Sequence, residues 1–399
     1  MRCASRFVLW IFLAWSWAAP AQDLRWPDVV AAARGQTVHF NAWGGDEKTN
    51  AFIEWAAGEV ARRYGVTLEH VKLKDTAEAV TRVVAEKAAG RTSGGAVDLI
   101  WLNGPNFLAL KQQGLLFGPF TQALPAYAKV DIVNVRSNVV DFTVPVDGME
   151  APWRRAQIVF VYDSKRVASP PRSVTQLLAW AQRNPGRLTH PSVRNFLGAT
   201  FLKQALYELA ADPAVLQKPA TDENFAAVTA PLWAWYDALR PHLWRRGQQF
   251  PESGPAQRQL LNDGEIDMMI SFNPAEAAVA SLAGQLPDTV RTFVFVRGTI
   301  GNTSFVAIPF NAASKEGAMV VADFLLEPAT QARAQDIRQM GNFTVLDIAR
   351  LTPQERQRFA DLPTSPALPT NAELRATLLE PHPTWMTRIT SEWEQRYTR

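Results

Sequence analysis

The chain has 399 residues, 47% of them hydrophobic and 20% charged, with a formal net charge of +3 and one cysteine, Cys3. That length outgrows a single hydrophobic core, so two lobes are expected. The near-neutral balance, with no basic run, argues against nucleic acid, and one cysteine excludes a disulfide-stapled fold.

The N-terminus reads as an export signal. Arg2 and Arg6 precede an apolar run from Phe7 to Ala19, and Ala19-Pro20-Ala21 supplies an A-x-A cleavage site. The run's 13 residues fall short of the roughly 20 that a spanning helix needs. Cleavage after Ala21 is expected to leave 378 of the 399 residues, a charge of +1 once Arg2 and Arg6 are gone, and no cysteine. An exported chain without thiols suits a bacterial periplasm.

The first element is a strand in Val38 to Ala42, leaving through the turn Trp43-Gly44-Gly45-Asp46. Ile53, Ala56, Ala57, Val60 and Tyr64 then recur at helical spacing until Gly65. A β-rich segment from Val66 to Lys74 and a helix through Ala79 to Ala88 follow. Val97 to Leu102 is a near-continuous apolar strand that breaks at Asn103-Gly104-Pro105-Asn106 before a short helix. Three strand–helix units with apolar strands predict a parallel sheet covered on both faces.

A strand from Gln157 to Tyr162 opens the second region, with Trp153 and Arg154 at the crossover. Ser173 to Gln176 is a capping box for a helix to about Arg183. Leu188 to Pro191 reads as a short strand leading to a helix that starts near Phe196. Pro231 is expected to break a helix containing Trp233, Trp235 and Tyr236. Ile266 to Phe272 is an apolar strand with Asn273-Pro274 at its exit. Strands Val290 to Val296 and Phe305 to Ile308 flank a polar segment, Thr299 to Thr303. Helices Lys315 to Leu326 and Thr330 to about Met340 precede a helical, proline-jointed C-terminus.

Several stretches carry a resemblance. Pro170-Pro171-Arg172-Ser173-Val174, following Val161-Tyr162-Asp163-Ser164-Lys165, resembles a passage of the family 1 extracellular solute-binding proteins. So do Gly264-Glu265-Ile266-Asp267-Met268, Ile308-Pro309-Phe310-Asn311-Ala312 and Phe324-Leu325-Leu326-Glu327-Pro328 with Gln331-Ala332. The Trp43 and Asn103 turns look most like the YnjB type of these ABC-importer binding components. Asp163, where asparagine is usual, and Ser173-Val174, in place of threonine-tryptophan, depart from the family pattern.

The resemblance implies an α/β, type II periplasmic binding protein fold: two α/β lobes joined by a hinge, with the ligand cleft between them. It divides the chain into a signal peptide (1–21), lobe one (22–153 plus about 298–345), lobe two (154–297) and a C-terminal helical segment (346–399). The implied partners are a small-molecule solute and an ABC permease in the inner membrane, with the protein a monomer.

By that layout Trp43, Gly44, Gly45, Asp46, Asn103, Gly104, Asn302 and Thr303 line the cleft from lobe one. Phe196, Phe272 and Asn273 face them from lobe two, and Trp153 and Arg154 lie at the crossover. Asp46 either holds a cationic ligand beside the Trp43 face or caps the next helix. Arg154 pairs with an anionic group, makes a hinge salt bridge or is a solvated arginine. Trp43 beside Asp46 tilts the expectation toward a cationic or heteroaromatic, thiamine-like solute. No cofactor or metal site is expected: the five histidines (His39, His70, His190, His242, His382) are scattered and no two tyrosines are adjacent. The competing class, a secreted α/β hydrolase-like enzyme using the same cleft, lacks a G-x-S-x-G elbow, an H-E-x-x-H pair or a cysteine nucleophile.

Overall fold

The computed structural model describes residues 25–398, so the export signal lies outside the described residues. The chain opens with α1 (Trp26–Ala33), β1 (Thr37–Trp43), α2 (Glu47–Tyr64), β2 (Thr67–Leu73), α3 (Ala77–Ala88), β3 (Leu99–Leu102) and α4 (Pro105–Gln112). β1 lies parallel between β2 and β3, as the strand–helix alternation requires. Val38, Phe40, Ala42 and Trp101 bury one face of this sheet, and Leu73, Ile100 and Leu102 bury the other. Gly65 ends α2 at φ 67°, a left-handed turn that suits glycine.

A short hairpin, β4 (Val140–Asp141) and β5 (Val144–Pro145), precedes β6 (Glu150–Gln157), and β7 (Val159–Asp163) follows after one residue. Next come α5 (Val174–Arg183), α6 (Phe196–Leu209), α7 (Phe225–Leu239), α8 (Gly254–Asn262), β8 (Met268–Ser271), α9 (Glu276–Leu282) and β9 (Val290–Phe293). β7 is the centre of an antiparallel sheet ordered β8-β7-β9. Phe160, Ile270 and Phe293 pack there with Leu177, Trp180, Leu202 and Trp235 from the helices. This is the core of the second lobe.

β10 (Thr299–Ala307) carries the chain back. It pairs antiparallel with all of β6, from Gly301 opposite Gln157 to Ala307 opposite Glu150. Ile158 N–H donates to Ile300 O at 2.8 Å, continuing the ribbon toward the second lobe. On its other edge β10 meets β3 only at Phe305 to Ala307. The remaining elements are α10 (Lys315–Leu326), α11 (Pro328–Gln335), α12 (Pro353–Ala360), α13 (Asn371–Leu374), β11 (Thr377–Leu378) and α14 (Pro383–Tyr397). β11 pairs with Thr299 and Ile300, so Gly301 to Ser304 keep one edge without a strand neighbour. α14 buries Trp385, Ile389 and Trp393 in the second lobe's core.

Four local expectations change. Thr299 to Thr303 lies inside β10, which is buried throughout, because its side chains find partners in distant segments. α7 runs unbroken through Pro231; burial of Leu232, Trp233, Trp235 and Tyr236 outweighs the lost hydrogen bond. Leu188 to Pro191 forms a single bridge, Leu188 with Met268, instead of a strand. Helix α11 stops at Gln335, and the following segment returns to the hinge, where Phe343 O accepts from Arg155 N–H at 2.8 Å.

Candidate ligand cleft between the lobes

The turn after β1 is held from several sides. Gly44 N–H donates to Leu73 O at 3.0 Å, and the Asn50 amide donates to Gly44 O at 2.9 Å. A side chain on Gly45 would meet the Trp43 ring at 2.5 Å, so the indole lies folded over that glycine. Asp46 caps α2: its Oδ2 accepts from both Thr49 N–H and Thr49 Oγ1, each at 2.8 Å. A cap of this kind stabilises by about 1 kcal/mol. The capping role therefore occupies one carboxylate oxygen of Asp46.

The turn after β3 sits against the open edge of β10. The Asn103 amide donates to Thr303 O at 2.6 Å, and Gly104 N–H donates to Asp141 Oδ2 at 2.5 Å. Gly104 has φ 56° and ψ −123°, and a Cβ there would lie 2.9 Å from the Phe142 ring. Only glycine meets both demands.

Arg154 projects from β6 toward Trp101 of β3. Its guanidinium carbon lies 4.2 Å from the centroid of Trp101 and 5.3 Å from that of Trp153. Nε donates to Ser304 Oγ at 3.3 Å. Among the described residues no carboxylate comes within ion-pair distance of it; Asp46 is the acid close enough to act on its charge. Burial pulls its pKa down to about 10, still well above neutrality, so the cation persists. A half-enclosed, unpaired guanidinium on an aromatic face suits an oxyanion that accepts from its free N–H groups.

The second lobe supplies the opposite wall. Phe196 starts α6 and packs edge-on against Phe272 at 5.3 Å and against Phe142 of the first lobe at 6.2 Å. Glu276 pairs with Arg258 at 2.8 Å; burial raises its carboxyl pKa, with Asp46 of the first lobe adding to the shift. Acids from both lobes thus approach each other around the space beside Arg154.

Next to this wall lies a buried polar cluster. The Lys203 ammonium contacts Glu380 Oε2 at 2.5 Å and lies 4.4 and 4.9 Å from the Phe142 and Phe196 rings. The Asn302 amide donates to Glu380 Oε1 at 3.0 Å. α6, β10, the residues before α14 and the β4–β5 hairpin therefore meet at one point.

A model of the family described as bacterial extracellular solute-binding protein matches residues 55–364. Over 392 residues the chain is 40% identical to Protein YnjB of Escherichia coli strain K12, covering 98% of each. The chain belongs to the extracellular solute-binding proteins of ABC transporters. Solved structures agree on the fold. The periplasmic binding protein AfuA of Actinobacillus pleuropneumoniae, with fructose-6-phosphate bound, matches with a TM-score of 0.64 at 14% identity, covering 91% of this chain and 99% of that one. The spermidine/putrescine transporter protein PotD of Streptococcus pneumoniae matches with 0.61 at 12%, covering 91% and 98%.

For a solute-binding protein, the sequence-selected residues fall into three groups. Trp43 to Asp46, Asn103, Arg154, Phe196 and Phe272 are partly exposed where the lobes approach. Asn302, Thr303 and Asn273 direct their side chains into the protein: Asn302 to Glu380, Thr303 to Asn138 at 2.8 Å, and Asn273 to Met340 O at 2.9 Å. Trp153 is 1% exposed in the first lobe's core, at the β6 bulge, and stacks on Phe52, and Gly104 is buried against the Phe142 ring. These last residues shape the cleft from behind. Sequence reading missed Trp101, Phe142, Lys203, Arg258, Glu276 and Glu380. Lys203 alone left a signal, a lysine in the apolar run from Phe196 to Leu206.

Asp141, deep in the polar cluster, has a measurable consequence. Burial raises its pKa from 3.8 to about 8, opposed by the Gly104 N–H. The folded state therefore keeps a proton that the unfolded chain releases between about pH 4 and pH 8. Stability should fall as pH rises through that window, by up to about 1.4 kcal/mol per pH unit for one such group. Buried Glu150, also raised, adds in the same direction. Asp141→Asn should flatten the slope of melting temperature against pH between 5 and 8; an unchanged slope would place the proton elsewhere.

Proposed function

We propose that this protein captures one small solute between its lobes by closure about the β6–β10 ribbon and delivers it unchanged to an inner-membrane ABC permease. The observation that carries this is Arg154: an unpaired guanidinium on the hinge strand, stacked on Trp101, with Asp46 the acid near enough to act on its charge. In this reading lobe one is 22–153 with about 298–345, lobe two is 154–297, and 346–399 packs on them. The mature chain works in the periplasm as a monomer after cleavage at Ala21. No helix of the described residues is long and apolar enough to cross a membrane.

The solute class shifts from the cationic one that Trp43 and Asp46 suggest in the sequence. One oxygen of Asp46 is engaged by Thr49, whereas Arg154 has no acid of its own. This favours a solute with an anionic or strongly accepting end at Arg154 and a ring or apolar body against the aromatic side chains. Glu276 is paired with Arg258, which suits a wall rather than a general base. Titration of intrinsic tryptophan fluorescence with small phosphates, carboxylates and heteroaromatics tests the reading. Saturable change with the solute recovered unaltered is expected; product formation would favour the enzyme alternative.

A further inference from the structure

β6 has two faces, and consecutive side chains point to opposite ones. Arg154 occupies the face toward Trp101; Arg155 therefore occupies the other. There a cavity of about 580 Å³ opens, lined among others by Arg136, Ser137, Arg155, Gln157, Pro274 and Arg375. Its wall joins the segment before β4, the hinge ribbon, the β8–α9 connection of the second lobe and the segment before β11.

The charge pattern is one-sided. Three arginines line the cavity and no carboxylate does. Among the described residues none of the three guanidinium groups has an ion-pair or hydrogen-bond partner within the protein. Asp131 is the acid that acts on Arg155, and its Oδ1 already accepts from Asn134 N–H at 2.8 Å. Arg155 is partly buried, and burial lowers its pKa. Arg375 holds φ 54° and ψ −154°, a backbone region in which glycine would be unstrained. An arginine therefore stands at a position whose backbone conformation favours glycine.

We propose that this hinge cavity is a second binding site, selective for a small multivalent oxyanion such as a phosphate ester or a di- or tricarboxylate. Planar guanidinium groups grip such anions through paired N–H donors. The Ser137 hydroxyl is taken up by Thr303 Oγ1 at 2.9 Å, which leaves the guanidinium groups as the donors, and Pro274 closes the wall from the second lobe. A ligand here touches both lobes and the ribbon between them, Asn302 included, so its occupancy couples to hinge closure. The inference is independent of which solute the cleft takes.

The test is calorimetric titration of the full mature protein with pyrophosphate and with citrate at low salt. A saturable site that persists in Arg154→Met, where the cleft has lost its own unpaired guanidinium, is expected for at least one of the two. Arg136→Gln and Arg375→Gly, both at exposed positions, should each weaken it at least fivefold, and Arg155→Met at least tenfold. Arg375→Gly should at the same time raise the melting temperature, which separates loss of the ligand group from loss of the fold. Changing Arg154, which does not line this cavity, to Met should leave the affinity of this site within twofold. Absence of saturable binding of both probes overturns the proposal. So does binding that survives the Arg136 and Arg375 changes and is lost in Arg154→Met, which would place the anion in the cleft.

Discussion

Arg154→Met is expected to weaken capture of the cleft solute by about 2–5 kcal/mol, roughly thirtyfold to several thousandfold, while the protein stays folded. Methionine keeps an apolar stem on Trp101 and removes the guanidinium whose Nε reaches Ser304. The loss of binding arises because a charged, half-enclosed donor is worth most when its ligand is also desolvated. Stability should hold or rise, since no acid among the described residues pairs with this cation and burial already lowers its pKa to about 10. Equilibrium titration by tryptophan fluorescence and a urea melt on the same variant separate the two effects. Affinity within threefold of the parent would remove Arg154 from the site.

The second large effect concerns Lys203. Its ammonium and the Glu380 carboxylate are 0% and 1% exposed and 2.5 Å apart. Burial disfavours both charged forms, lowering the lysine pKa and raising that of the glutamate, and each partner offsets the other's cost. Lys203→Met leaves Glu380 without its cation, with only the Asn302 amide as a side-chain partner. Breaking one side of a buried pair costs about 3–5 kcal/mol, so the urea midpoint should drop sharply. The double change Lys203→Met with Glu380→Gln should recover most of that loss, because a neutral amide can still accept from Asn302. Equal destabilisation in the single and double variants would mean that packing against Phe142 and Phe196, not charge, is what Lys203 contributes.

The parts of this molecule that were readable in sequence are those set by local periodicity. Val38 to Ala42 and Val97 to Leu102 announce buried strands, and Gly65 announces a helix end. The exits of those strands point to the cleft on the same logic. The hinge was not readable in this way. β6 contains Arg154-Arg155 and β10 contains Asn302-Thr303-Ser304, polar runs that look like loop. They are strand because each strand supplies the other's backbone bonds and because Asn138 and Glu380, 165 and 78 residues away, satisfy the side chains. Whether Asp46 caps a helix is decided by Thr49, three residues on, and the geometry of that turn settles it as a cap. Trp153 illustrates the limit in the other direction. Its place at the crossover suggested ligand contact, yet the β6 bulge turns it into the core, against Phe52 and Trp101.

Native mass spectrometry of the mature protein, purified without denaturation, tests the central claim most directly. A single small-molecule adduct at one per chain, released with its mass unchanged on unfolding and absent from Arg154→Met, is the result expected of a solute-binding protein with this cleft. An adduct retained undiminished by Arg154→Met, or a released molecule chemically altered by incubation with the protein, would contradict it.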